Sequence, residues 1–294
     1  MAGIRMVFLA TRPWSFPMTI ISITFGSAIS LRLEGLFNPL NYILALIGSV
    51  ALHAAANVIN DYYDAKYGVD RVGAPTVKYR PHPVIAGFMD PGSLVKMTIF
   101  LSLTSIIIAI YLAIVSGIYA LILGLIGLIL ALTYTSPPLT YKYRALGELS
   151  VLMCWGPIMV LGAYYVQTSR LSLIPLTASL SIGLLVAAVL LANNIRDIEY
   201  DRTVGIKTIA IMLGRSRAIK LYGLMVLTPY LIILLLVILG IFSYIMLIVF
   251  ASLPKALSLI RMFRVEVPDT ADPLTAQLVL LFGVLAIAGM LLPI

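Results

Sequence analysis

The sequence predicts an all-α, polytopic membrane protein, with nine transmembrane helices in a single bundle and a central cavity open near the cytoplasmic face. Composition is the first observation behind this prediction, because 61% of the 294 residues are hydrophobic, only 11% are charged, and the mean hydropathy is +1.06. The second is that apolar stretches of about 20 residues, the length of a helix that crosses a hydrocarbon core, recur along the whole chain.

Each apolar stretch is predicted to be one spanning helix, and all nine are assigned to one transmembrane domain, residues 1–294. The first stretch is too long for the apolar core of a signal peptide, so we expect it to remain as a span. In chain order the predicted spans cover 15–33, 41–63, 93–115, 118–135, 146–166, 172–195, 218–239, 241–259 and 274–292.

Basic residues determine the predicted orientation. Of the 20 Lys and Arg residues, only Arg32 and Arg170 fall in segments on one side of the bundle, which leaves 20 − 2 = 18 for the other side. Because positive charge favours the cytoplasm, the N-terminus is predicted to be cytoplasmic and the C-terminus to lie on the opposite side. The net charge of +8 therefore reflects topology and phosphate chemistry, and we expect no nucleic-acid partner.

A first polar motif closes the second predicted span. Its members are spaced i, i+3, i+4 and i+7, which places them on one helix face: Asn57, Asn60, Asp61 and Asp64. Carboxylates at membrane depth are costly and usually functional, and carboxylate and amide oxygens suit Mg²⁺. The alternative is that these acids only pair with nearby bases. His53, one turn further into the span, is predicted to be a hydrogen-bonded interior side chain rather than a ligand.

A second polar motif closes the sixth predicted span, with Asn193, Asp197 and Asp201 spaced i, i+4 and i+8 on one stripe. Both motifs contain Asn-x-Ile-x-Asp. This short echo suggests two pseudo-repeat halves, residues 1–135 and 136–294, that share one central site.

Basic and aromatic side chains near the motifs complete a predicted diphosphate pocket. Mg²⁺ is usually held by one or two carboxylates and by substrate phosphates, and Lys and Arg bind the remaining phosphate oxygens. The candidate bases are Lys78, Arg80, Lys142, Arg196, Arg202 and Lys207. Aromatic rings such as Tyr134 could stabilise a carbocation. The long segment 64–92 is predicted to be a functional loop.

These motifs resemble those of the UbiA superfamily of intramembrane prenyltransferases, whose hallmark is a pair of Asp-rich motifs on two spans of a nine-helix bundle. Asn193-x3-Asp197-x3-Asp201 matches the superfamily pattern in full, and Asn60-x3-Asp64 matches the first part of the other motif.

One variation of the first motif is similar to the MenA branch, the 1,4-dihydroxy-2-naphthoate polyprenyltransferases, and to its vertebrate relatives. Position 68 is Gly where many superfamily members have a third Asp, and Asp70 supplies the acid two residues later. Further agreement with this branch includes Arg12-Pro13, Lys142-Tyr143 and Leu146-Gly147-Glu148. In contrast, Arg80-Pro81-His82-Pro83 looks more like the broader superfamily, including its archaeal lipid-ether branch.

The resemblance implies Mg²⁺-dependent transfer of a polyprenyl group from its diphosphate to an aromatic acceptor, in menaquinone or other quinone synthesis. It implies two Mg²⁺ ions held by Asp61, Asp64, Asp70, Asp197 and Asp201. Catalytic roles would fall to Lys142, Arg196 and Tyr134. Substrate binding would fall to Asn57, Asn60, Lys78, Arg80, Asn193, Arg202 and Lys207. The alternatives are digeranylgeranylglyceryl phosphate synthase, whose acceptor is a lipid ether, and a secondary transporter.

Overall fold

A computed structural model describes residues 3–75, 77 and 80–292, and these residues form a bundle of α-helices. The α-helices are α1 (Ile4–Ala10), α2 (Phe16–Glu34), α3 (Pro39–Lys66), α4 (Pro91–Ser116), α5 (Tyr119–Leu132), α6 (Gly147–Met153), α7 (Met159–Thr168), α8 (Leu173–Arg196), α9 (Ile198–Thr203), α10 (Ile209–Leu213), α11 (Arg215–Ile238), α12 (Leu253–Val265) and α13 (Ala271–Leu291). Short 3₁₀ helices cover Pro13–Ser15, Tyr141–Tyr143 and Tyr244–Ser252, and a π-helical turn covers Cys154–Ile158.

Eight helical segments of the described chain are long and apolar enough to cross a membrane: Pro13–Glu34, Pro39–Lys66, Pro91–Ser116, Gly147–Thr168, Leu173–Arg196, Arg215–Ile238, Tyr244–Val265 and Ala271–Leu291. The predicted span 118–135 corresponds to α5, which has only 14 residues. At 1.5 Å per residue α5 is about 21 Å long, shorter than the ~30 Å hydrocarbon core. The count of nine spans therefore stays a prediction.

Local sequence explains where several spanning helices begin. Asn38 and Asp90 cap α3 and α4, because their side-chain oxygens accept hydrogen bonds from main-chain N–H groups of the first helical turn. Each is followed by a proline at the first helical position, where its missing N–H costs nothing. These signals are local and can be recognised in the sequence.

Close packing of α8 against the π-helical turn holds the middle of the bundle together. Gly183 of α8 faces Gly156, and a Cβ atom added to Gly183 would lie 2.6 Å from the main-chain oxygen of Leu152. The largest buried cluster surrounds this contact and includes Phe25, Ile182 and other apolar residues of α2, α8, α11 and α13. Glycine at this position lets two main chains approach more closely than any other residue would.

Contacts between helix termini define one end of the bundle. At this end Tyr164 donates a hydrogen bond of 2.9 Å to Glu34, and Arg170 lies 3.4 Å from the same carboxylate. Asn41 there donates to the main-chain oxygen of Val166 at 2.8 Å. The C-termini of α3 and α8 lie at the other end, which we call the motif end because both acidic motifs are there.

Candidate active site

Asp61 of α3 is the point where two guanidinium groups meet at the motif end. Arg80 binds the fully buried Asp61 carboxylate with both terminal nitrogens, at 2.6 and 2.9 Å. Arg12 also donates to Asp61, and it reaches Asn60 Oδ1 at 3.1 Å. Two guanidinium groups thus converge on one carboxylate, and guanidinium groups also bind phosphate oxygens.

Arg12 reaches this position because the chain before α2 turns sharply. Its φ of 55° is in the left-handed region, which is costly for any residue except glycine. Asn57 of α3 holds the turn by donating to the main-chain oxygen of Thr11 at 2.9 Å and to Ser15 Oγ at 3.1 Å. Arg12 was not among the site residues expected from the sequence. The sequence feature that could have identified Arg12 is the Arg-Pro pair directly before the first span.

Asp64, one turn beyond Asp61, has a different set of partners. Lys142 Nζ donates to Asp64 at 2.5 Å, and the Tyr143 hydroxyl donates to the other carboxylate oxygen at 2.7 Å. The main chain of Lys207 pairs with this segment, because its N–H donates to Tyr143 and its oxygen accepts from Ala145. Lys207 thus supports Lys142 through its main chain, while its side chain is exposed.

The glycine at position 68 explains why the third acid of the first motif is displaced. Helix α3 ends at Lys66, and Gly68 has a φ of 70°, so position 68 no longer continues the helical face. The chain then folds back, with the Asp70 N–H donating to the Asp64 main-chain oxygen at 3.0 Å. This bond brings Asp70 close to the motif although it is off the helix.

Asp70 faces His82 across a buried contact of 3.4 Å between Oδ2 and Nε2. His82 Nδ1 accepts main-chain N–H groups of Val84 and Ile85, so the proton of the neutral imidazole is on Nε2. Burial disfavours the Asp70 anion, yet His82 and the charges of Lys142 and Arg12 lower the pKa of Asp70 to about 2. Asp61, Asp70 and His82 offer ligand atoms within 4.8 Å of one another. With the proton on Nε2, the two carboxylates are the candidate metal ligands of this group.

The second motif keeps its helical hydrogen-bond pattern past the end of α8. The Asp197 N–H donates to the Asn193 oxygen at 3.0 Å, and the Asp201 N–H donates to the Asp197 oxygen at 2.9 Å. The expected i, i+4, i+8 path is therefore present, although α8 ends at Arg196 and α9 begins after Asp197. Arg196 binds both Asp197 oxygens at 2.7 Å and also contacts Asp272 of α13.

Asp201 is buried, and within the described residues no side chain donates a hydrogen bond to its carboxylate. Burial, followed by the charge of Asp197, raises the pKa of Asp201 to about 7. Lys142 and Asp64 of the first motif also act on this group. The two motifs thus share one electrostatic environment.

A cavity of about 940 Å³ begins between the motifs and extends between the helices. Its polar lining lies at the motif end and comprises Arg12, Asn57, Asn60, Asp64, Arg80, Tyr134, Lys142, Asn193, Arg196, Asp269 and Asp272. Its apolar lining comes from α2, α3, α4, α5 and α7, and includes Ile23, Ala45, Gly48, Leu112, Ala120, Gly124, Ala163 and Val166. Small residues are frequent on α3 and α5, which leaves room for a long apolar ligand.

His53 and Trp155 form a polar patch in the apolar wall of the cavity. The His53 ring nitrogens lie 2.9 Å from Thr19 Oγ1 and 3.2 Å from Ser15 Oγ, which confirms the expected hydrogen-bonded interior histidine. Trp155 packs edge-on against this imidazole, with ring centroids 4.9 Å apart. Both side chains line the cavity, and neither was expected there from the sequence.

The structure does not bring every expected residue to the cavity. Arg202 is half exposed and pairs with the exposed Glu199 at 3.1 Å, so the expected substrate contact has no structural support. The Lys207 side chain is also exposed. Four of the five expected metal ligands are not among the residues that line the cavity: Asp61, Asp70, Asp197 and Asp201. Lys78 lies outside the described residues.

The donor set at the motif end fits a hard divalent cation such as Mg²⁺. The acids are buried and offer carboxylate oxygens, and Asn60 and Asn193 add amide oxygens. Burial first, and then the charge of Asp197, raises the pKa of Asp201, and a bound cation would favour its ionised form. The residues that could hold it are Asp61, Asp64, Asp70, Asp197 and Asp201.

Solved structures of two archaeal proteins share this fold. One is the apo structure of a UbiA homologue from Aeropyrum pernix K1, with a TM-score of 0.73, 21% identity, and coverage of 93% of this chain and 98% of that chain. The other is a UbiA homologue from Archaeoglobus fulgidus bound to DMAPP and Mg²⁺, with a TM-score of 0.69, 13% identity, and coverage of 97% and 98%.

Sequence comparison agrees with the structural similarity. UbiA prenyltransferase domain-containing protein 1 from Mus musculus is 33% identical over 287 residues, which covers 97% of this chain and 83% of the mouse protein. The UbiA prenyltransferase family matches residues 19–285, from the start of α2 to the second half of α13. The chain therefore belongs to the UbiA prenyltransferase family.

Proposed function

We propose that this protein transfers a polyprenyl group from its diphosphate to an aromatic acceptor, in a Mg²⁺-dependent step of menaquinone or other quinone synthesis. One observation carries the proposal: the cavity of about 940 Å³ joins polar residues of both motifs, among them Asp64 and Asn193, to a long apolar space between helices. DMAPP and Mg²⁺ in the homologue from Archaeoglobus fulgidus support this choice of donor and metal. Family membership sets the transporter alternative aside.

The polar end of the cavity is suited to a diphosphate. Arg12, Arg80, Lys142 and Arg196 line it, and each already binds a carboxylate of a motif or its neighbour. These cations would bind phosphate oxygens when the acids engage metal. When bound, Mg²⁺ neutralises the diphosphate and makes it a better leaving group. We assign one ion to Asp61 and Asp64 of α3 and a second to the acids of the second motif.

The transfer breaks the bond between the allylic carbon and the diphosphate oxygen, and the electron pair leaves with the diphosphate. A carbon of the acceptor ring forms the new bond and then loses a proton, or loses its carboxylate as CO₂ if the acceptor is dihydroxynaphthoate. Tyr134 and Trp155 line the cavity where the allylic cation would form, and their rings can stabilise it. The apolar walls exclude water, which would otherwise capture the cation.

A glycerol phosphate ether would need a second phosphate pocket, and the positions of Lys66 and Arg71 favour an aromatic acceptor instead. Lys66 Nζ lies 5.6 Å from the ring centroid of Tyr62, and the Arg71 guanidinium lies 5.9 Å from that of Tyr200. Both bases are thus placed over rings, and neither lines the cavity. This supports the quinone branch suggested by Gly68 and Asp70.

The test is to incubate the purified protein with Mg²⁺, radiolabelled geranylgeranyl diphosphate and separate acceptors: 1,4-dihydroxy-2-naphthoate, 4-hydroxybenzoate and geranylgeranylglyceryl phosphate. We expect a prenylated aromatic product, loss of turnover with EDTA, and recovery on addition of Mg²⁺. A labelled ether lipid as the main product would replace the proposed acceptor. Turnover that persists in EDTA would contradict the metal assignment.

We also propose that the motif end and the N-terminus are cytoplasmic. The 18 basic residues assigned to that side support this orientation through the positive-inside rule. The only cysteine, Cys154, is buried, so cysteines introduced at Leu36 and Ser216 would report on the two ends. A membrane-impermeant maleimide added to intact cells should label position 36 and not position 216. The reverse pattern would invert the topology.

A further inference from the structure

Arg196, at the end of α8, binds acidic groups from two separate parts of the chain. Its Nε and Nη2 donate to the two oxygens of Asp197, each at 2.7 Å. Its Nη1 donates to the Asp272 carboxylate and, at 3.0 Å, to the main-chain oxygen of Asp269. The guanidinium is largely buried, with 7% of its side chain exposed, and it lines the cavity.

The two carboxylates that hold Arg196 have different roles in the proposed site. Asp197 belongs to the second motif and is assigned to metal, so its oxygens would be shared with a cation when substrate binds. Asp272 belongs to no motif, and it lies in the first turn of α13, where the helix dipole favours an acid. Asp272 therefore remains as a partner of Arg196 when Asp197 binds metal.

We propose that Asp272 is a positioning residue, which holds the Arg196 guanidinium at the cavity wall in the orientation that binds the donor diphosphate. This inference rests on the proposed function, because it assigns a diphosphate to the motif end. Asp272 acts through Arg196 and touches no reacting atom. The contact also ties the start of α13 to the second motif, 76 residues away in sequence.

The long side chain of Arg196 must be oriented before its guanidinium can bind a ligand. A free arginine side chain loses rotamer entropy when it is fixed on a ligand. Asp272 and the Asp269 main-chain oxygen fix it in advance, which reduces the cost at the moment of binding. Loss of Asp272 should therefore weaken diphosphate binding and leave acceptor binding unchanged.

The chain offers a matched pair of variants for the test. Asp272→Asn removes the charge that holds Arg196. Glu266→Gln is the control, because Glu266 is an exposed acid in the segment that precedes α13 and does not line the cavity. We would measure the binding of inorganic pyrophosphate with Mg²⁺ by calorimetry on the full-length protein, together with KM for the donor, KM for the acceptor, and kcat.

We expect Asp272→Asn to weaken pyrophosphate binding and raise the donor KM by about tenfold, as for a hydrogen bond to a charged group. Glu266→Gln should stay within about twofold of the unaltered protein. In an Arg196→Ala background Asp272→Asn should add no further loss, and Asp272→Glu should restore part of the affinity. Independent, additive losses from the two changes would overturn the proposal, as would a rise in the acceptor KM alone.

The readouts separate this inference from the proposed function. If no acceptor is prenylated, the proposed transferase reaction is wrong, while the pyrophosphate titration still measures the coupling between Asp272 and Arg196. If transfer occurs but the coupling is absent, only the positioning role is wrong.

Discussion

At the scale of single residues, the acids of the two motifs differ in how the fold compensates their charge. Asp61 is surrounded by two guanidinium groups, and Asp64 is bound by an ammonium and a phenol. Asp201 receives no side-chain hydrogen bond within the described residues. We therefore expect substitutions of some of these acids to change mainly stability, and substitutions of others to change mainly turnover.

The first prediction concerns metal binding. Asp64→Asn and Asp197→Asn should each reduce turnover by about 100-fold or more, because a positioned charge that acts on the transition state is removed. Yield and thermal midpoint in detergent should change little, since the amide keeps the shape of the carboxylate. Glu199→Gln is the control, because Glu199 is exposed and pairs with Arg202 at the surface. Near-normal Mg²⁺-dependent turnover in both variants would refute the metal assignment.

The second prediction concerns stability. Asp61→Ala should lower the free energy of unfolding by roughly 3–5 kcal/mol, because it leaves two largely buried guanidinium groups without their carboxylate. Asp201→Ala removes a buried carboxylate that repels Asp197, so it should leave the thermal midpoint unchanged or raise it. Equal midpoints for the two variants, measured by thermal unfolding in detergent, would show that Asp61 has no special structural role.

At the scale of elements, the ends of the helices and their contacts determine where the motif residues lie. The sequence correctly places Asn57, Asn60, Asp61 and Asp64 on one face, because a continuous helix converts spacing into direction. It does not reveal that α3 ends at Lys66 or that a bond between Asp70 and Asp64 returns the chain to the site. The return of the chain to the site depends on the turn at Gly68.

The third prediction tests the contact between α8 and the π-helical turn. Gly183→Ala should destabilise the protein by about 1–3 kcal/mol, because the added methyl would overlap the Leu152 main-chain oxygen, which cannot rotate away. Gly223→Ala of α11 is the matched control, since its nearest neighbour atom would be 3.8 Å away. We would compare thermal midpoints in detergent. If Gly183→Ala were as stable as Gly223→Ala, the close approach would not be needed.

At the scale of the whole molecule, the bundle creates a cavity with two chemically different ends. Ala45 lines it at a position 19 residues before Asp64 on α3, about 28 Å along the helix axis. The apolar part is therefore long as well as narrow. A donor with several prenyl units would occupy it from the motif end.

The fourth prediction tests this path. Ala45→Phe should reduce turnover of a long donor relative to dimethylallyl diphosphate by about tenfold, because the ring would fill space that the far end of the prenyl chain occupies. Ile47→Phe is the control, since Ile47 is 48% exposed on another face of the same helix. The ratio of turnover for the two donors is the measurement. An unchanged ratio in Ala45→Phe would place the prenyl chain elsewhere.

The sequence by itself determined the helical membrane class, the positions of both motifs and the end of the bundle where they lie. These are local properties, because hydrophobicity, helical spacing and flanking charge are all expressed within about 20 residues. Tertiary structure alone decided the partners of the acids: Arg12 with Asp61, Lys142 with Asp64, and Arg196 with Asp272, which are 49, 78 and 76 residues apart. Such pairs depend on how the helices pack, and packing is a property of the whole bundle that the spacing of residues along one helix does not contain.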